Sequence, residues 1–379
     1  MPIYLDYSAD TPVDEDVLEC YCQAVRKFHA NPNSAHSEGR AAKRLTDESV
    51  AKVAEVLGVK PQEIIFTSGA SESNNLAVKG IAFANRRRGK HIISTFLEHS
   101  SVSGALTFLQ EQGFEIDIVN VLPDGRIDLD HFRKLLREDT VLAAVCAVDS
   151  ELGTVQPIEE IAEILHSFPN SVCRLHVDAT QAVGKIHLPF GCADSVSFAP
   201  HKFFGLPSSG VLYKREGTVL EPLIHGGAST TIYRSGTPDA AMAAACAKAL
   251  EIAVSRLDER YKYVSGLNAF LREKLVRLGS GSGKNPLVRI NSPENAVPYI
   301  LNLSVKGIKG EEMRRRLDER GVCVSVKSAC SVANTPSRAV YAITHDRKNA
   351  LSSWRISLSH LTTYEELEEF LKILESVID

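Results

Sequence analysis

The sequence predicts an α/β protein of two domains, the larger built on a mostly parallel sheet. At 379 residues the chain exceeds the size at which one hydrophobic core stops growing. Between residues 60 and 215 short apolar runs alternate with helical stretches, the pattern of a parallel sheet crossed by helices. One run, Val141 to Val148 (VLAAVCAV), is apolar without alternation, which suits a central strand covered on both faces.

Asp14 to Phe28 and Ser37 to Leu57 read as helices ahead of the sheet. Ile64 to Phe66, His91 to Ser94, Phe114 to Val119, Val141 to Val148, Arg174 to Asp178, Ser195 to Phe198 and Gly210 to Tyr213 read as its seven strands. Pro238 to Leu278 is largely helical and runs into GSGSG (Gly279 to Gly283), a flexible breaker, and a domain change is expected near residue 255. The large domain is therefore assigned to 15–255, and a smaller α+β domain to 1–14 with 256–379. Its elements are a strand Tyr299 to Leu303, a helix Gly310 to Arg320, strands Val322 to Val326 and Trp354 to Ser357, and a final helix. That helix opens on Thr363 and Glu366 as a capping box and buries Leu367, Phe370, Leu371, Leu374 and Ile378 on one face.

With 44% hydrophobic and 24% charged residues the composition is that of a globular protein. A net charge of -4 supplies no basic field for nucleic acid or an anionic membrane, so a small-molecule substrate is the better expectation. The start MPIYLDYSAD carries no secretory pattern and no apolar run is long enough to span a bilayer, which places the protein in the cytoplasm. The eight cysteines are scattered, as reduced thiols would be. Cys20 and Cys22 point in nearly opposite directions on a helix and no second pair completes a zinc site, so no metal is expected. Arg86-Arg87-Arg88-Gly89-Lys90 reads as a solvated cluster at a helix end.

Ligands of open α/β sheets bind beyond the carboxyl ends of the strands. After Ile64 to Phe66 comes Thr67-Ser68-Gly69-Ala70-Ser71, a small-residue turn opening a helix, where backbone N–H groups can meet a phosphate. Taken alone it reads more simply as a plain strand-to-helix connection. After Arg174 to Val177 comes Asp178, which is either a cap or the partner of a buried cation such as a protonated pyridine. After Ser195 to Phe198 comes Ala199-Pro200-His201-Lys202, where desolvation of a strand-end lysine would lower its pKa and suit it to imine chemistry. An isolated His-Lys pair is otherwise a surface feature. The order and separation of glycine turn, carboxylate and lysine fit one phosphate-bearing aromatic aldehyde.

Over essentially its whole length the chain resembles the NifS/IscS-type cysteine desulfurases, fold-type I pyridoxal-phosphate (PLP) enzymes of class V. The resemblance rests on YLDYSADTPVD (Tyr4 to Asp14), NPNSAH (Asn31 to His36), FTSGASESNNLA (Phe66 to Ala77), EHSSV (Glu98 to Val102), ELGTVQP (Glu151 to Pro157), HVDATQAVGK (His176 to Lys185), SFAPHK (Ser197 to Lys202), RSGT (Arg234 to Thr237), SAC (Ser328 to Cys330) and WRISLS (Trp354 to Ser359), in that order. It implies a fold-type I architecture with a large PLP domain and a small domain carrying a catalytic cysteine loop. It makes Lys202 the cofactor-bonding lysine, Cys330 the persulfide cysteine and His99 a catalytic residue stacked on the ring. Asp178 would face the ring nitrogen and Gln181 the ring hydroxyl. Ala70, Ser71 and His201 would hold the phosphate, helped by Thr237 from the second subunit of a homodimer. Arg355 would clamp the substrate carboxylate, and Asn31 falls in the motif assigned to substrate.

Some positions depart from the family. Asp149-Ser150 stands where Asn-Asn is common, leaving Ser150 as the cofactor-side residue, and Ala199 replaces a phosphate-binding serine. Lys327 replaces a glycine before SAC and reads either as a solvated residue or as a charge near Cys330, while GLPSS (Gly205 to Ser209) replaces a turn richer in glycine and lysine. The implied activity is conversion of L-cysteine to L-alanine, with the sulfur held on Cys330 and passed to an acceptor such as an iron–sulfur scaffold or a tRNA-thiolation enzyme. Selenocysteine lyase or aminotransferase chemistry on the same scaffold, and a catalytically weak scaffold in a sulfur relay, are the alternatives.

Overall fold

The computed structural model describes residues 2–169, 171–227, 231–279, 287–327 and 335–378. A short strand, β1 (Ile3–Tyr4), and two helices, α1 (Glu15–Lys27) and α2 (Ser37–Leu57), come first. Asp14 caps α1 by accepting from the Asp16 N–H, and acidic and basic residues sit at the ends that complement the helix dipole. Helix α2 stops at Gly58, whose φ of 68° lets its N–H close back onto the Ala54 and Glu55 carbonyls.

The sheet region then runs β2 (Ile64–Thr67), α3 (Ala70–Asn85), β3 (His91–Ser94), α4 (Ser100–Glu111), β4 (Glu115–Ile118), α5 (Leu129–Leu135), β5 (Thr140–Cys146), α6 (Ile158–Ser167), β6 (Arg174–Asp178), β7 (Ser195–Phe198) and β8 (Gly210–Lys214). These strands form one seven-stranded sheet in the order β2-β8-β7-β6-β5-β3-β4. Only β8 runs against its neighbours; β3, β4, β5, β6 and β7 pair in parallel. All seven expected strands are present. Strand β5 is buried at every position, which explains its unbroken apolar run. The run outlasts the strand because Ala147 turns its N–H to the Asp178 carbonyl and Val148 bridges to Val155.

The long helical stretch after the sheet is two helices, α7 (Ala240–Ser255) and α8 (Leu257–Gly279), broken at Arg256. Helix α7 is alanine-rich on its packed face and packs on α1 and α2. Small side chains let it approach the turn after β7 closely. A Cβ added at Gly205 would stand 3.0 Å from the Ala249 Cβ, and one at Gly184 would stand 2.9 Å from that of Ala253.

The remaining elements are β9 (Val288–Ile290), β10 (Ile300–Val305), α9 (Gly310–Asp318), β11 (Val322–Cys323), α10 (Arg338–Thr344), α11 (Arg347–Ser352), β12 (Ser353–Ser357) and α12 (Tyr364–Ile378). Strands β12, β10 and β9 form an antiparallel sheet, and β1 pairs in parallel with β11. The capping box of α12 is present, with Thr363 N–H to Glu366 Oε2 at 2.9 Å and Glu366 N–H to Thr363 Oγ1 at 3.1 Å. One hydrophobic core is continuous from Val177 of the large sheet to Leu301 and Trp354 of the small one.

The expected strand Val322 to Val326 shortens to two residues, because its partner β1 is only two residues long. Cys323 is accordingly half-buried instead of a core residue. Strand β9 and helices α10 and α11 carry too little periodicity to be read from sequence. Beyond Gly279, the GSGSG breaker lies outside the described residues. Among the described residues no helix is long and apolar enough to cross a membrane.

Candidate active site

A cavity of about 460 Å³ opens beyond the carboxyl ends of β2, β6 and β7. Its wall brings together Ala70, Ser71, His99, Ser150, Asp178, Gln181, His201, Lys202 and Arg355, all singled out in the sequence.

Lys202 ends the short turn after β7, where Pro200 starts the turn and Gly205 closes it without room for a side chain. Its Nζ donates to the Ser8 carbonyl at 3.0 Å and also to that of Ala9. Burial pushes its pKa down to about 8, the Arg355 charge adds to this, and Asp10, Asp6 and Asp178 oppose it. A second lysine, Lys185, is buried behind it and donates to Gln181 Oε1 at 2.6 Å. Gln181 in turn donates from Nε2 to the Ser8 carbonyl at 2.9 Å.

Asp178 ends β6 and is buried. It accepts from the Thr180 N–H at 3.0 Å and from Asn74 Nδ2 at 2.8 Å, both neutral donors. The capping alternative is thus partly right, since one carboxylate oxygen does hold the following turn. Asn74, on α3 and fully buried, is the hub behind it. Its Oδ1 accepts from Ser197 Oγ and meets His176 Nε2 at 3.0 Å, while its Nδ2 also reaches Ser101 Oγ at 2.8 Å. Ser101 Oγ lies 2.9 Å from His99 Nδ1. Because His99 caps α4 by accepting the Ser101 N–H on Nδ1, its proton resides on Nε2 in the neutral form. Burial lowers the His99 pKa, Asp178 opposes that, and Lys202 reinforces it.

The turn after β2 has the features of an anion seat. Gly69 has φ 157° and ψ 169°, a conformation open to glycine, and α3 begins at Ala70 without a side-chain cap. Gly210 must also lack a side chain, since a Cβ there would lie 2.4 Å from the Gly69 carbonyl carbon. His201 is pushed down to about 4, by burial first and then by Lys202, and is therefore neutral near pH 7. Ser208 and Ser209 from the GLPSS segment line the same cavity, whereas Ala199 is fully buried.

At the opposite wall Arg355 of β12 is 2% exposed. It donates from Nη1 to the Ser150 carbonyl at 2.8 Å and from Nη2 to Asp6 Oδ1 at 3.0 Å. The contact to residue 150 is made through its backbone and so does not depend on the Asp149-Ser150 departure. The Asp149 carboxyl turns away to the N–H groups of Glu151 and Leu152, and burial pushes it up to about 7. Glu98, buried beside Cys146, is pushed up to about 8 by burial, and its second oxygen has no partner among the described residues.

Two assigned residues stand outside this cavity within one chain. Asn31 is exposed and accepts the Asn33 N–H at 2.9 Å. Thr237 is exposed along a separate surface hollow that also contains Pro32 and Gly236. Cys330 lies outside the described residues. Lys327 is buried, not solvated, and donates to the Thr335 carbonyl at 2.9 Å, because the turn after β11 folds its side chain inward. Sequence reasoning missed Ser8, Ala9 and Asn74. The first two act through backbone carbonyls, which no residue type advertises; Asn74 lay inside a quoted motif but its role needs two strands, β6 and β7, and helix α4.

Replacing Asn74 by alanine leaves His176, Ser197 and Asp178 with buried unmet groups. A loss of about 1–3 kcal/mol in urea-unfolding stability is expected, together with weaker retention of any ligand held by Asp178. Unchanged stability and retention would show that the hub is idle.

Residues 3–370 match the family described as aminotransferase class-V. The chain is 37% identical over 384 residues to the cysteine desulfurase IscS of Dictyoglomus turgidum, spanning 100% of this chain and 94% of that protein. It superposes on a solved structure described as a NifS-like protein with a TM-score of 0.92 at 36% identity, covering 100% of this chain and 99% of the other. A structure described as SspA in complex with cysteine matches with a TM-score of 0.80 at 32% identity, over 94% of this chain and 98% of that one.

Proposed function

The chain belongs to the class-V aminotransferase family, among its cysteine desulfurases, and from that premise we propose that it holds PLP in the cavity around Lys202 and stores cysteine sulfur on Cys330. The observation that carries the cofactor reading is the pairing of a half-buried lysine of lowered pKa with a buried carboxylate held by neutral donors, in a cavity of about 460 Å³. That volume suits a phosphorylated pyridine, and the uncapped start of α3 with Gly69 suits its phosphate.

When bound, PLP supplies an electrophilic aldehyde carbon and an electron-withdrawing ring. Lys202, whose amine is readily neutral, would bond the aldehyde and would serve as the base for the substrate Cα proton. Asp178 would keep a proton on the ring nitrogen. His99, with its proton on Nε2 when neutral, would cover the ring, and Gln181, held by Lys185, would face the ring hydroxyl. Ala70, Ser71 and His201 would hold the phosphate, and Arg355 would receive the substrate carboxylate. The Cys330 thiolate would attack the sulfur of L-cysteine, so that the sulfur–sulfur bond forms as the carbon–sulfur bond breaks; the electron pair of that bond stays with Cβ, and a proton taken up there completes L-alanine. The working protein is a cytoplasmic homodimer, in which a second copy brings Thr237 to the phosphate. Its persulfide passes to an acceptor protein, of the iron–sulfur scaffold or tRNA-thiolation kind.

Only the neutral amine captures an aldehyde, so capture by apoprotein should rise about tenfold per pH unit up to about pH 8 and level off above it. An ordinary lysine would keep rising past pH 10. The visible absorbance of PLP added to apoprotein follows the rate, and conversion of L-cysteine to equal amounts of alanine and transferable sulfur tests the activity. A rate still climbing above pH 9, or reconstituted protein that forms no alanine, overturns the proposal.

A further inference from the structure

We propose that Asp6 is a positioning residue for substrate recognition, which aims the Arg355 guanidinium at the substrate carboxylate by holding it against Ser325; this rests on the reading of Arg355 as the carboxylate clamp. Both carboxylate oxygens of Asp6 are engaged. Oδ1 accepts from Arg355 Nη2 at 3.0 Å and Oδ2 from Ser325 Oγ at 2.7 Å. The backbones that carry these groups are themselves tied together. Arg355 N–H donates to the Ser325 carbonyl at 2.6 Å, Ser325 N–H returns to that of Arg355 at 3.3 Å, and Asp6 bridges in parallel to Ser357. Two residues on, Ser8 N–H donates to Ser357 Oγ at 2.8 Å. The main chain of Asp6 is therefore fixed against both partners, and its carboxylate is held by the two side-chain bonds to Arg355 and Ser325.

Charge compensation falls to Asp6 as well. The Arg355 side chain is 2% exposed and that of Asp6 17%, so their attraction is little screened, and a buried guanidinium stripped of its partner is costly. Asp149 and Glu151 lie close enough to feel Arg355, but burial pushes both carboxyls up, Asp149 to about 7. One oxygen of each is already engaged, Asp149 Oδ2 by the Glu151 and Leu152 N–H groups and Glu151 Oε2 by Ser337. With Nη1 on the Ser150 carbonyl and Nη2 on Asp6, the guanidinium plane is set. Its Nε–H is buried without a partner among the described residues, and each terminal nitrogen keeps one further hydrogen. Those donors, on a residue lining the cavity, are what a carboxylate needs.

The test uses PLP-reconstituted protein and two ligands that differ only in the carboxylate: L-alanine and ethylamine. Their dissociation constants are read from the visible absorbance of the bound cofactor, and KM and kcat for L-cysteine are measured alongside. Asp6→Asn, nearly isosteric, should weaken L-alanine about 10- to 100-fold, leave ethylamine unchanged and raise KM for L-cysteine more than it lowers kcat. Ser325→Ala, which frees Oδ2 but keeps the ion pair, should give a smaller shift in the same direction and supplies the answer if Asp6→Asn does not fold. An unchanged L-alanine to ethylamine ratio in both variants, while Arg355→Gln loses the preference, overturns the role of Asp6 and leaves the clamp standing. Equal weakening of both ligands overturns it too, since that is a general structural defect. A preference unaffected by Arg355→Gln instead removes the clamp reading on which the proposal rests.

Discussion

Lys202→Ala abolishes the visible absorption band of bound cofactor and lowers alanine formation from L-cysteine by about three to four orders of magnitude, the span of a lost covalent anchor and general base. Only a primary amine can bond the aldehyde, and the residues around Lys202 provide no substitute in reach of the same role. Lys185 is a neighbouring buried amine, and it is committed to Gln181. The fold should survive. Among the described residues the Lys202 amine donates to the Ser8 and Ala9 carbonyls, and its charged form is disfavoured by burial. The sign of that effect is testable in apoprotein. A lysine whose folded pKa is lowered to about 8 from 10.5 penalises the folded state fully below pH 8 and ceases to do so above 10.5, so wild-type apoprotein gains stability from Lys202 across that window. The alanine variant lacks this increment. Urea midpoints at pH 7.5 and 10, compared between the two proteins, read it directly. Visible absorbance retained in well-folded Lys202→Ala would end the assignment of Lys202.

Cys330→Ser separates sulfur transfer from everything upstream of it. Cofactor absorbance and L-cysteine binding should persist, whereas alanine release should fall at least about 100-fold because a serine oxygen cannot accept the sulfur as a persulfide. Wild-type protein treated with L-cysteine should carry one extra sulfur on the peptide containing Cys330. Two other thiols are worth examining in the same digest. Cys146 lines the cavity, but burial and the adjacent Glu98 push its pKa well above the ordinary range. Cys323 is raised by burial, then by Asp318 and Asp6. Both are poor thiolates, so neither should carry the extra mass. Finding it on Cys146 would move the acceptor into the cofactor cavity; full alanine release from Cys330→Ser would remove the persulfide step from this residue.

By itself the sequence determined the seven strands, the helices that flank them and the three strand-end groups at Gly69, Asp178 and Lys202. These are local properties: an apolar run such as Val141 to Val148 records the burial of one strand, and a glycine turn or a strand-end charge stands within a few residues of the element that presents it. Only the tertiary structure decided what holds those groups. Lys202 is bound by carbonyls of Ser8 and Ala9, more than 190 residues away, and Asp178 by Asn74, 104 residues away. Backbone carbonyls leave no mark in a residue string, and a buried amide is indistinguishable from an exposed one until its neighbours are placed. The same reason accounts for Lys327, which reads as a surface charge but is folded inward onto Thr335, and for Ser208 and Ser209, which enter the cavity wall from a turn that departs from the family. Asn31 and Thr237 carry the opposite lesson. Their motifs are plain in the sequence, yet one folded chain leaves both at its surface, because a residue's distance from the cavity is set by packing and not by the motif that contains it.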